Sequence, residues 1–126
     1  MNNKFRNSSA AFTLVEIMIV VAIIGLLAAL AIPGFVKARK QSQGRRILND
    51  ARQLDSAIDQ WAVEKGKKDG DAVITSQAAT YLKTAWSDND LLNNPYTIGS
   101  LGTNQVKISD STKDALSGVG IDWGAF

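Results

Sequence analysis

The sequence predicts an α+β chain: one long amino-terminal α-helix, part membrane span and part amphipathic, followed by a small globular head with a short helix and a two-stranded antiparallel β-hairpin. Three observations predict it. Residues 12–36 form an apolar run of 25 residues whose single charge is Glu16. Residues 47–61 carry apolar side chains at successive spacings of 4, 3, 4 and 3. Two short β-patterned runs, 96–98 and 105–108, flank a turn that contains Gly99 and Gly102.

Composition narrows the chemistry before any element is placed. The chain has 126 residues, with 14 Lys and Arg against 12 Asp and Glu, for a net charge of +2. That balance is too near neutral for a dedicated nucleic-acid binder, which needs a clustered basic face. There is no His and no Cys. Imidazole bases, thiol nucleophiles, disulfides and Cys/His zinc sites are therefore excluded.

Residues 1–11 form a short basic leader, with Lys4 and Arg6. Residues 12–36, FTLVEIMIVVAIIGLLAALAIPGFV, follow. A helix of that length reaches roughly 37 Å at about 1.5 Å per residue, enough to cross a hydrocarbon core of about 30 Å. A core helix of a small soluble domain would be shorter and would show a polar face. Residues 37–46, KARKQSQGRR, hold five cations (Lys37, Arg39, Lys40, Arg45 and Arg46) and no acid. Beyond them, residues 47–126 hold seven basic and eleven acidic residues, a charge of −4. The order is leader, span, basic collar and mildly acidic head.

The helix is expected to continue over 37–66. Ile47, Ala51, Leu54, Ile58 and Trp61 make one stripe, widened by Leu48 and Ala62, with Asn49, Asp50, Arg52, Gln53, Asp59 and Gln60 opposite. Gly66 ends the pattern, and Lys65, Lys67 and Lys68 suit the negative end of the helix dipole. Pro33 is expected to kink or loosen the helix. Gly44 is expected to weaken it by about 1 kcal/mol relative to Ala.

Residues 67–126 make up the head. Asp69-Gly70-Asp71 is a turn signal. Thr75 and Ser76 can cap a short helix through about Lys83, with Ala79 and Leu82 on one side. Residues 87–95 are loop chemistry, and the end of the chain, with Gly118, Gly120 and Gly124, reads as irregular. The expected core is Leu54, Ile58, Trp61, Tyr81, Leu82, Trp86, Tyr96, Ile98 and Ile108.

The stretch from Ala11 to Pro33 resembles the amino terminus of type IV prepilins and type II secretion pseudopilins. The residues that carry the resemblance are Phe12, Thr13, Leu14, Glu16, Gly25 and Pro33. They combine a small residue before Phe, a lone Glu at the fifth position after the cut, and a Pro after about twenty apolar residues. A short Asn-Pro-Tyr strand after one long helix is similar to small pseudopilins. The resemblance implies cleavage between Ala11 and Phe12 by a prepilin peptidase, N-methylation of Phe12, and assembly through an inner-membrane platform into a helical filament of this or related chains. It also implies a leader in the cytoplasm, a single pass through the inner membrane, and a periplasmic head until assembly. Within the family the backbone between residues such as Gly25 and Pro33 tends to lose helical structure as the filament forms. The family usually has Gly before the cut; Ala11 is the next smallest residue, so slower processing is expected.

The lone carboxylate has a physical rationale of its own. At mid-bilayer a charged Glu16 costs about 2.5 to 3.5 kcal/mol, less near the interface. Cleavage before Phe12 creates an α-ammonium as a partner. Two unit charges about 4 Å apart gain about 4 kcal/mol at an effective dielectric near 20, before desolvation. Pairing across a subunit boundary would neutralise both and fix the axial step. The collar is placed to rest on anionic headgroups of membrane lipid.

Other readings stay open on the sequence alone. Ala29-Leu30-Ala31 is a small-x-small site that ordinary signal peptidase would cut, releasing a soluble secreted domain. Against it, the apolar run exceeds the usual span of about 7 to 15 residues. Counting cations favours an inverted orientation of a plain anchor, a bias the specific cleavage pattern overrides. Asp88, Asp90, Asp110 and Asp114 offer carboxylate pairs without a base or metal cluster, so no enzyme and no cofactor is expected. Asp88-Asn89-Asp90 has the oxygen chemistry of a calcium loop but lacks the Gly and terminal Glu of an EF-hand, and a solvated loop is the simpler reading. The favoured function is a pseudopilin of a type II secretion-like system moving proteins across the outer membrane. The alternative is a type IV pilus subunit for adhesion, motility or DNA uptake.

Overall fold

The structure is a computed structural model and describes residues 11–126. The leader expected over 1–11 lies, but for Ala11, outside the described residues. The order of elements is α1 (Leu14–Glu64), α2 (Thr75–Ala78), a 3-10 turn (Ala79–Tyr81), β1 (Thr97–Ile98), β2 (Val106–Lys107) and α3 (Asp110–Ala115). This is the α+β arrangement expected, with one helix, α3, that the sequence reading missed. The described residues fall into two units, one ending at Val36 and the other spanning Lys37–Phe126.

In the first unit the described residues from Leu14 onward are one helical stretch of α1. Every large apolar side chain there is exposed, from Phe12 at 80% to Val36 at 46%. The helix passes unbroken through Gly25 and Pro33. The expected loosening at Pro33 does not interrupt it: one missing N–H leaves the neighbouring ladder bonds intact, and the Ala- and Leu-rich residues before it favour helix.

In the second unit α1 lays its stripe against the head. Ile47, Ala51, Leu54, Ile58 and Trp61 are all buried, with Leu48 and Ala57 beside them. Asn49, Arg52, Gln53, Asp59 and Gln60 are exposed. The helix ends where Gly66 was expected to end it. Gly66 adopts φ 63°. Its N–H donates to Val63 O (3.3 Å), and that of Lys67 donates to Ala62 O (2.8 Å). This paired closure of the last carbonyls needs a left-handed residue, which Gly supplies without a Cβ penalty.

The core joins α1 to Ala78, Tyr96, Leu101, Val106, Ile108 and Leu116. Of the expected core, Leu54, Ile58, Trp61, Tyr96 and Ile108 are buried. Tyr81, Leu82, Trp86 and Ile98 pack against it while partly exposed. Trp61 is the largest fully buried side chain; its indole N–H donates to Gln77 Oε1 at 2.9 Å.

Three local expectations are corrected. The short helix starts at Thr75 but its cap position is Ile74, with no side-chain cap, and helical structure ends at Tyr81 rather than Lys83. Ala78, one residue before the expected Ala79, is the buried one. The hairpin pairs only Thr97 with Lys107 and Ile98 with Val106, because the glycine-containing turn occupies the residues between. The chain end is not wholly irregular: Ser109 caps α3 by accepting from Ser111 N–H, a Ser-Asp start of the kind that opens helices.

Gly44 is the other surprise. A Cβ there would sit 2.0 Å from Ile121 Cδ1 and 3.1 Å from its Cγ1. The glycine that weakens the helix locally is what lets the returning chain end approach it. Gln41 Nε2 donates to Val119 O at 3.0 Å on the same side.

Candidate functional site: the amino-terminal segment and the collar

Ala11, Phe12 and Thr13 precede the helix, and all three are exposed. Thr13 Oγ1 accepts from the Glu16 N–H at 3.2 Å, and Glu16 Oε2 accepts from the Thr13 N–H at 3.4 Å. Thr-x-x-Glu is a reciprocal capping box, which satisfies two of the orphan donors of a helix start. The carboxylate also lies at the positive end of the helix dipole. Glu16 is thus the one acid in the first turn of a helix whose next residues are apolar and exposed.

Gly25 has open space around it, with nothing within 4 Å of a Cβ built there. Among the described residues α1 is the one helix long and apolar enough to cross a membrane, and none of its apolar window is buried in the structure.

The collar lies entirely on α1. Lys37, Arg39, Arg45 and Arg46 are exposed and Lys40 is half-buried. At 3.6 residues per turn these five positions spread around the helix rather than along one face. No collar side chain hydrogen-bonds Asp59 of its own chain among the described residues. Asp59 is engaged instead by Gln105, whose Nε2 donates to Asp59 Oδ1 at 2.7 Å.

The 87–95 segment is the largely exposed loop expected, with one exception. Asp90 is buried. Its Oδ1 accepts from the N–H groups of Leu92 (2.9 Å) and Asn94 (3.0 Å), and its Oδ2 accepts from Thr112 Oγ1. Asp88 Oδ1 accepts from Trp86 Nε1 at 2.9 Å. These carboxylates fold the loop by turning its own donors inward. No metal-holding group of three acidic, His or Cys residues occurs among the described residues. The signal for this role was Asp90 two and four residues before Leu92 and Asn94, an Asx-turn spacing.

Tyr96, in the same region, is 9% exposed, and its hydroxyl has no hydrogen-bond partner. Burial first, then the charges of Asp50 and Asp90, push its pKa well above the ordinary tyrosine value. Tyr81 is raised chiefly by its hydrogen bond to Glu64.

A family model described as the prokaryotic N-terminal methylation motif matches residues 6–32. The amino terminus carries this methylation motif. The match takes in the Ala11–Phe12 junction, the Thr13–Glu16 box and the apolar run as far as Ile32. The chain is also similar to the type IV major fimbrial protein FimA of Dichelobacter nodosus, at 37% identity over 92 residues, 73% of this chain and 52% of that one. It is similar to a fimbrial protein of Pseudomonas aeruginosa, at 35% identity over 103 residues, 79% of this chain and 59% of the relative. It is also similar to the type II secretion system core protein G of Klebsiella michiganensis, at 32% identity over 62 residues, 49% of this chain and 44% of the relative. The chain spans about half the length of these curated relatives. No solved structure matches it significantly.

Proposed function

We propose that the chain is a structural subunit of a type IV pilus-like filament, acting mechanically and without catalysis. The observation that carries this reading is the helix start: a small residue, then Phe12, then one capped carboxylate leading a fully exposed apolar helix. In this reading the prepilin peptidase cuts between Ala11 and Phe12, and Phe12 is methylated at its new amino group. The span holds the chain in the inner membrane, leader in the cytoplasm and head in the periplasm, until an assembly platform draws it into the filament. There Glu16 meets the amino group of a neighbouring subunit's Phe12, and the exposed apolar faces of α1 cover one another in place of lipid. Gly25 and Pro33 mark the stretch of α1 that yields during extraction. The collar leaves anionic headgroups and finds acidic groups on neighbours.

The small cysteine-free head favours a pseudopilin of a type II secretion-like system. A pilus for adhesion, motility or DNA uptake is the second reading, favoured by the fimbrial relatives. The two part when the gene is deleted: a pseudopilin predicts lost export of a secreted enzyme with surface pili retained, and a pilin predicts the reverse.

Coexpression with a prepilin peptidase tests the processing step. Intact mass should show a chain shortened by the eleven residues to Ala11 and beginning at methyl-Phe12. Ala11→Gly should not reduce cleavage and Ala11→Leu should block it. A product beginning at Ile32 would establish the secreted-domain reading instead.

A further inference from the structure

Burial along α1 begins before the core does. Residues 29–39 are exposed, Lys40, Gln41 and Gln43 are half-buried, and Gly44 is buried, whereas the core stripe starts at Ile47. The 117–126 segment is what covers the helix there. Gln41 Nε2 donates to Val119 O at 3.0 Å. Ile121 occupies the place that a Cβ on residue 44 would take, and Trp123 Cη2 lies 3.6 Å from it. The segment is held to the head at both ends: Leu116, just before it, is in the core, and Phe126 O accepts from the Ile108 N–H at 2.9 Å. It therefore crosses α1 as a strap fixed on either side of the crossing.

The strap crosses a stretch of α1 with little helical strength of its own. Ser42 and Gly44 are weak helix formers. Lys37 and Lys40 stand three residues apart, where like charges repel on a helix, and residues 37–46 hold no acid to offset them. Helical order in such a stretch comes from packing, and the packing on Gln41 and Gly44 is the strap's. We propose that the 117–126 segment is a clasp: closed over Gly44 it keeps residues 41–46 helical, and lifted it turns them into a joint between the apolar run and the part of α1 that the head holds. Opening it breaks the contacts at Gln41 and Gly44 and leaves the buried stripe over 47–61 in place, so it occurs below the cost of unfolding the head. The clasp is a property of the single chain and does not depend on filament assembly. In the filament reading it sets how stiffly a pull on the span reaches the head.

Amide exchange, read residue by residue on the full chain in detergent micelles, tests the clasp. Ile121→Ala removes the side chain that sits on Gly44. It should speed exchange of amides 41–46 about tenfold and leave those of 47–58 unchanged. Adding Gly44→Ala should restore protection, because the methyl then has room and raises helix propensity. Gln41→Ala, which leaves the apolar contacts in place, should give a smaller rise confined to the same amides, and it decides the matter if Ile121→Ala loosens the whole head. No rise at 41–46 in either variant would mean that this stretch holds itself, and overturns the clasp. An equal rise at 41–46 and at 47–58 in both variants overturns it as well, because the segment would then be an ordinary part of the head's core. Protection that Gly44→Ala does not restore overturns the joint, since residues 41–46 would not be limited by their own helical weakness.

Discussion

Thr13 and Glu16 cap each other at the start of α1, each side chain accepting from the other's backbone N–H. A carboxylate that serves as a helix cap and one that serves as a charge partner are separable by substitution. Gln fills the same place in a capping box without the charge. Glu16→Gln should therefore keep the helix start and lose filament assembly, and Glu16→Ala should lose both. Neither should impair membrane insertion, since both remove a charge from an apolar segment. Thr13→Val should fray the first turn by about 1 kcal/mol. Amide exchange at Glu16 reports the cap, and filament yield reports the charge. Normal yield from Glu16→Gln would remove the pairing with a neighbour's amino terminus.

The collar prediction is sharpened by what Asp59 does. Its carboxylate already accepts from Gln105, so changing it would also disturb the head. Asp55 is half-buried and its side chain makes no hydrogen bond among the described residues. Reversing Arg45 and Arg46 to Glu should reduce filament yield, and adding Asp55→Lys should partly restore it at low salt. The restoration should shrink as salt screens the charges over about 10 Å at 0.1 M. Full assembly of the Arg45→Glu, Arg46→Glu variant would show that the collar makes no essential contact.

Gly44 and Ile121 give a coupled pair. Gly44→Ala gains about 1 kcal/mol of helix propensity but forces Ile121 aside, and overpacking of this kind costs about 1–3 kcal/mol. The single change should lower the thermal midpoint of the head slightly. In an Ile121→Ala background the same change should raise it, because the methyl then has room. Equal effects of Gly44→Ala in both backgrounds would mean that the two residues do not touch.

What could be read in advance, and what could not, follows from sequence distance. The amino-terminal motif is linear: a small residue before Phe12, a capping box three residues apart and an unbroken apolar run need no tertiary contact. The α1 stripe and the Gly66 closure are equally local. Asp90 and Thr112 lie 22 residues apart, and Gln41 and Val119 lie 78 apart. Nothing in the neighbourhood of Asp90 shows that its second oxygen meets a helix not yet formed. Gly44 looked like a weakness because its partner, Ile121, comes from the far end of the chain. Most of 87–95 is exposed as its acids and amides suggest, and Asp90 alone turns inward, because its partners include Thr112 from α3.

The raised pKa of Tyr96 carries a pH prediction. Its folded pKa lies above the unfolded value of 10.0. The unfolded chain therefore releases this proton first, and the folded state binds more protons once pH passes about 10. The stability linked to the neutral phenol is fully present below that pH and is lost as pH rises above it. Tyr96→Phe should flatten the alkaline fall in the thermal midpoint as pH rises above about 10, the unfolded value. Tyr81→Phe should act in the same direction but weakly, because that side chain's hydrogen bond is solvent-exposed. An unchanged alkaline profile in Tyr96→Phe would contradict a buried neutral hydroxyl.

The most direct measurement is of the filament itself. The full chain is expressed with a prepilin peptidase and an assembly platform, sheared fibres are collected, and their subunits are examined by electron microscopy and intact mass. The account predicts helical fibres composed of chains that begin at methyl-Phe12, present for the parent and absent for Glu16→Ala despite normal cleavage. Fibres that form equally from Glu16→Ala, or a correctly processed chain that stays in the membrane with no fibre at all, would contradict it.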